Sequence, residues 1–124
     1  MKKIIFILGC IVVFVSCTPN EYHIKFNVHN SASNKIFVQY CPFQTTDTTN
    51  VQIIPGQTIV VWDALHVGGK SYDTNWYYDF GINIISICNI VGDPTIFDPN
   101  VASHWQISNS DETEYMLSIG NSSF

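Results

Sequence analysis

Residues 21–30 read EYHIKFNVHN, and their alternation decides the fold. Tyr22, Ile24, Phe26 and Val28 fall on one side of an extended chain, while His23, Lys25, Asn27 and His29 fall on the other. A period of two is the signature of a half-buried β-strand, because successive side chains of a strand point to opposite faces. Working outward, Asn30-Ser31-Ala32-Ser33-Asn34 has turn composition, and Lys35 to Cys41 (KIFVQYC) forms a second strand. Apolar residues on both of its faces predict a central place in a sheet.

Pro42 ends that strand, and the threonine-rich Phe43 to Asn50 connects onward. Val51–Ile54 and Thr58–Asp63 flank Pro55-Gly56, which has type II turn chemistry, so the two read as a hairpin. Gly68-Gly69-Lys70 lies in a loop; Trp76, Tyr78 and Phe80 then alternate in another strand. Ile82 to Val91 (INIISICNIV) is rich in β-branched residues and predicts a buried strand. Two Asp-Pro pairs mark Gly92 to Asn100 as loop, with one short helical turn expected over Asn100 to Trp105. Asn109 to Thr113 is a turn, and Tyr115, Leu117 and Ile119 alternate in a final strand. About seven short strands separated by turn signals predict an all-β domain over residues 21–124, an antiparallel β-sandwich of immunoglobulin-like type. Its strand order is not written in this pattern.

Ahead of the domain, Lys2 and Lys3 precede an apolar run from Ile4 to Val15. Twelve helical residues rise about 18 Å, short of the roughly 30 Å of a bilayer core, so the run suits a secretory signal and not a membrane span. It halts at Phe14-Val15-Ser16-Cys17, a tetrad that resembles the lipobox of bacterial lipoproteins. That resemblance implies a diacylglyceryl group on the Cys17 thiol, cleavage of residues 1–16 before it, and acylation of the new amine. Phe14 stands where leucine is commoner in that family. Residues 17–20 would be a short tether, and Cys10 would leave with the signal. The rival reading is a plain signal peptide that happens to end at a cysteine. Thr18 follows the cysteine where aspartate would signal inner-membrane retention, so the expected address is the outer membrane.

The domain itself resembles small lipoproteins common in Bacteroidota, through Val28-His29-Asn30-Ser31, Lys35-Ile36-Phe37-Val38, the Pro55-Gly56 turn, Trp105 and Tyr115-Met116-Leu117-Ser118-Ile119. These motifs are structural, so the likeness implies localisation and fold and no activity. Within it, Asp47-Thr48-Thr49 resembles a short O-glycosylation acceptor, which names Thr48.

Composition narrows the function. Aromatic residues make up 14% of the chain and charged residues 12%, the profile of a folded domain. After residue 16, three lysines (Lys25, Lys35, Lys70) stand against ten acidic residues, a net charge of 3 − 10 = −7. Arginine is absent, and with it the usual fork for phosphate and the basic stripe of nucleic-acid binding. Nucleic acid is not an expected partner; the membrane is, through Cys17, and a glycan or an envelope protein is the other candidate.

Catalytic signals are weak. There is no G-x-S-x-G elbow, and the nearest His–Asp pair in sequence is Asp63 with His66. A hydrolase built on that pair is the weakest of three readings and needs the two side chains to meet a nucleophile in one pocket. Asp73, Asn75, Asp79 and Gly81, and separately Asp93 and Asp98, supply oxygens without the spacing of a calcium loop, and aspartate in turns explains them better. No zinc spacing exists, so neither metal nor cofactor is expected. Cys41 and Cys88 form an even pair in an exported chain, either a disulfide or two buried thiols. Trp62, Tyr77 and Trp105 are the aromatics named for stacking on a sugar, a role that requires at least two of them exposed and coplanar beside a polar cleft. The leading expectation is a lipid-anchored, non-enzymatic envelope protein, with a glycan-binding accessory protein as the alternative.

Overall fold

In the computed structural model, residues 21–42, 46–67, 83–108 and 114–124 are described. They form seven strands: β1 (Glu21–Asn30), β2 (Ile36–Cys41), β3 (Thr49–Ile53), β4 (Thr58–Val67), β5 (Asn83–Cys88), β6 (Gln106–Ile107) and β7 (Glu114–Ile119). Two 3-10 turns, Ala102–His104 and Asn121–Ser123, complete the described elements. The strands make a four-stranded sheet in the order β4-β1-β7-β6 and a three-stranded sheet in the order β3-β2-β5. One apolar cluster joins the inner faces of both sheets, which makes the domain an all-β sandwich.

β1 supplies the centre of that core. Ile24, Phe26 and Val28 are fully buried, as the alternation requires. Facing them from the small sheet are Ile36 and Val38 of β2, Ile53 of β3, and Ile84 and Ile87 of β5. Burying a side chain of this size stabilises the fold by about 1.5–3 kcal/mol relative to exposure. Phe26 also stacks on Tyr115 at 5.0 Å between ring centroids and meets Trp105 edge-on at 5.6 Å. The expectation of an antiparallel sandwich is corrected at one pair: β1 pairs with β4 antiparallel but with β7 parallel, so the larger sheet is mixed, a feature that alternation cannot carry.

Two bulges explain why the apolar periodicity is not strict. Phe26 lies opposite Trp62 and Asn27 opposite Val60, so Val61 is an extra residue on β4. Val61 is therefore buried while its neighbour Trp62 also packs on the core. In the small sheet Gln39 faces Ser86 and Tyr40 faces Ile84, leaving Ile85 extra on β5. Ile84 and Ile87 both turn inward across this odd spacing, and Ile85 is left exposed.

Two further sequence expectations are corrected here. β3 and β4 do not form a hairpin, because β3 pairs with β2 and β4 with β1. The Pro55-Gly56 turn is present, with Gln57 N–H donating to the Ile54 carbonyl (3.1 Å) and Gly56 at φ 79°, but it carries the chain from one sheet to the other. The run from Ile82 to Val91 is not a strand buried throughout either. β5 stops at Cys88, and Ile90 and Val91 sit exposed in a turn. The Asn89 side-chain oxygen organises that turn by accepting from the N–H groups of Val91 and Asp93.

The expected helical turn before Trp105 is there, as Ala102–His104. The segment leading into it also protects β5. Thr95 N–H donates to the Ile87 carbonyl, while the Asn100 side chain donates to the Ile84 carbonyl and accepts from the Ile84 N–H, both at 2.8 Å. An asparagine thus stands in for a partner strand at a sheet edge, where unpaired backbone groups invite association.

Candidate functional site

The residues named from sequence are distributed, and they do not converge. Trp105 belongs to the core. It is 7% exposed, packs against Phe26, and donates its indole N–H to the Pro99 carbonyl at 2.8 Å. Its place among the ligand-stacking aromatics is therefore corrected. Trp62 is half-buried against the same cluster, drawn in by the β4 bulge. Tyr77, Cys17 and the Asp73–Gly81 oxygens lie outside the described residues.

Cys41 and Cys88 lie on adjacent strands but at different levels. Cys88 is opposite Phe37 and Cys41 opposite Asn83. Four residues of β2 separate the two levels, about 13 Å at a strand rise of about 3.3 Å, against the 4.4–6.8 Å between Cα atoms that a disulfide spans. The pair does not bridge, and both side chains are half-buried. The disulfide reading is thereby corrected in favour of the alternative beside it.

Asp63 finds a histidine, though not the one adjacent in sequence. Its carboxylate lies 3.2 Å from His23 Nδ1, across the β1–β4 pair on the exposed face of the large sheet. A surface pair of this kind contributes little to stability. The His66 side chain lies outside what is described. His29 Nδ1 lies 2.8 Å from the Thr58 hydroxyl. Asp93 and Asp98 serve turns: Asp93 accepts from the Asn89 amide, and Asp98 accepts from Asn100 N–H. Thr48, with Asp47 and Thr49, is exposed on the approach to β3.

What the fold does assemble is a shallow depression of about 320 Å³ on the outer face of the small sheet. It was not named from sequence, because its residues come from three strands and meet only through their register. Gln52, Phe37 and Cys88 form one row across β3, β2 and β5, and Asn50, Gln39 and Ser86 form the next. Alternation within β2 puts Phe37 and Gln39 on one face, and alternation within β3 does the same for Asn50 and Gln52. That was the local signal available. Phe37 is 40% exposed, and the Lys35 ammonium stands 5.6 Å from the centre of its ring.

The lining carries no charged side chain. Three carboxamides and a hydroxyl provide donors and acceptors, and the phenyl ring provides an apolar plate. Such a surface can hold and orient an uncharged ligand; it offers no paired acid and base for bond cleavage. A smaller hollow of about 110 Å³, bordered by Ala32, Lys35, Asn89 and Phe124, lies at the end of the sandwich where β1 finishes. Among the described residues no three His, Cys, Asp or Glu side chains gather as a metal set. Compared with known proteins, the chain matches no family model, no curated protein and no solved structure.

Proposed function

We propose that this chain is a lipid-anchored lipoprotein of the cell envelope, held at the outer membrane through Cys17, whose sandwich works by binding. The observation that carries the reading is the Phe14-Val15-Ser16-Cys17 tetrad at the end of a signal-length apolar run. The start of β1 at Glu21 supports it, since only residues 18–20 separate the cysteine from the domain's central strand. A single acyl chain binds membranes weakly, whereas two or three on one residue hold the domain at the surface. Cell fractionation of the Cys17→Ala protein is the test. The unmodified chain goes with the membrane fraction and the variant is released or left unprocessed; a variant that still partitions like the parent overturns the proposal.

A second reading, a glycan-binding accessory role, is favoured by the neutral, amide-lined depression on the small sheet. It does not use the Trp62, Tyr77 and Trp105 set, because Trp105 is enclosed. The exposed Thr48 fits modification by a sugar, which would register as a hexose-sized increment in the mass of the mature chain.

A further inference from the structure

We infer that the outer face of β3-β2-β5 is a binding site for a neutral saccharide, stacked on Phe37 and oriented by the carboxamides of Gln39, Asn50 and Gln52 with the Ser86 hydroxyl. The inference deepens the second reading and rests on it; it does not depend on the lipid anchor. Its first support is volume. About 320 Å³ falls in the lower part of the range of small-ligand sites, enough for one or two sugar rings.

Charge is the second support. The chain carries a formal net charge of −5, yet the residues lining the depression are all uncharged, and the charged group beside them is the Lys35 ammonium over the Phe37 ring. A cationic ligand would find no counter-ion among them, and an anionic one would have Lys35 alone against the negative charge of the whole chain. An uncharged polyol meets neither obstacle. Carboxamides suit it because each offers two donors and an acceptor, matching adjacent hydroxyl groups that also both donate and accept. Phe37 presents an exposed apolar plate to the C–H face of a sugar ring.

The third support is the position of β2 inside its sheet. Its backbone is paired with β3 on one side and β5 on the other, so little main chain is left for a ligand to bond. Recognition on this face therefore passes through side chains. An extended peptide adding to a sheet needs the opposite, a strand edge with unpaired N–H and C=O groups. The face thus suits a saccharide, whereas a peptide strand would add at the outer edge of β3 beside it, which the peptide arm of the test below reports.

The test uses the full-length protein in detergent, applied to an array of neutral oligosaccharides built on glucose, galactose, mannose and N-acetylglucosamine. Uronic-acid and sulfated oligosaccharides form a charged arm, and extended peptides form a third. Binding to at least one neutral class is expected, weakened by about tenfold or more in Phe37→Ala and in Gln39→Ala. Asn50→Asp, nearly isosteric and exposed, keeps the result readable should a larger truncation disturb the fold, and it too weakens binding. Gln106→Ala on the other sheet leaves it unchanged. Neutral-sugar binding that survives the Phe37, Gln39 and Asn50 variants overturns this site while the glycan reading stands. No binding to any neutral sugar overturns both, as does capture of charged sugars or peptides alone.

Discussion

Asn30 shows what a single residue contributes to this sandwich. It continues the inward face of β1 after Val28, where a polar side chain would ordinarily destabilise the core, and it is fully buried. Its amide donates to the carbonyls of Asn34 and Ile53, both at 2.9 Å, and its oxygen accepts from Ala32 N–H at 2.9 Å. Its backbone holds the sheet-crossing turn, accepting from Gly56 N–H at 2.7 Å and donating to the Gln57 carbonyl at 3.0 Å. Next to it, Ser31 N–H and hydroxyl both reach the Ile119 carbonyl at the end of β7. The Asn-Ser motif that reads as a plain turn in sequence is thus where β1, the β3–β4 connection and β7 are fastened together. Asn30→Ala removes three hydrogen bonds, two of them buried (to the Ile53 carbonyl and from Ala32 N–H), and a loss of about 3 kcal/mol is expected. Asn30→Asp, which cannot donate, should be no milder. Urea unfolding measures both, and a loss below about 1 kcal/mol for either contradicts this role.

At the scale of strands, what could be read from sequence was what depends on near neighbours along the chain. The alternation of β1 identified Ile24, Phe26 and Val28 as core, and the two apolar faces of β2 marked it as the middle of a sheet. The Pro55-Gly56 turn was legible as a turn, but turn chemistry does not say whether the strands it joins pair with each other. The apolar run around β5 was misjudged because composition does not distinguish an interior strand from one guarded by Asn100 and Thr95. Neither Trp105 as core nor the two-row amide surface on the small sheet could be seen locally, since burial and register are properties of the assembled fold. Register also decides the cysteines. Cys41 and Cys88 share a pair of neighbouring strands yet sit at different levels along it, so reducing agent should leave the urea midpoint unmoved. A bridge closing such a loop would contribute about 2–4 kcal/mol, and a fall of that size on reduction would show that the two thiols meet after all.

For the whole molecule, a few turn and aromatic residues tie the two sheets and their connections together. Asn30 and Ser31 secure one end, the Pro55-Gly56 turn crosses between the sheets, and Trp105 and Tyr115 enclose Phe26. Residues of this kind set the scaffold and leave recognition to exposed surfaces, the face of β3-β2-β5 among them. The proposed anchor would tie the membrane to the interior strand of the larger sheet through a tether of three residues, keeping the domain close to the lipid. Everything proposed about location depends on the chemistry at one thiol. The direct measurement is the intact mass of the mature protein extracted from membranes. Lipidation requires a chain that starts at Cys17 and carries the added mass of a diacylglyceryl group, with or without a further acyl chain. A chain that retains residues before Cys17, or that begins there with no lipid mass, contradicts the lipoprotein reading.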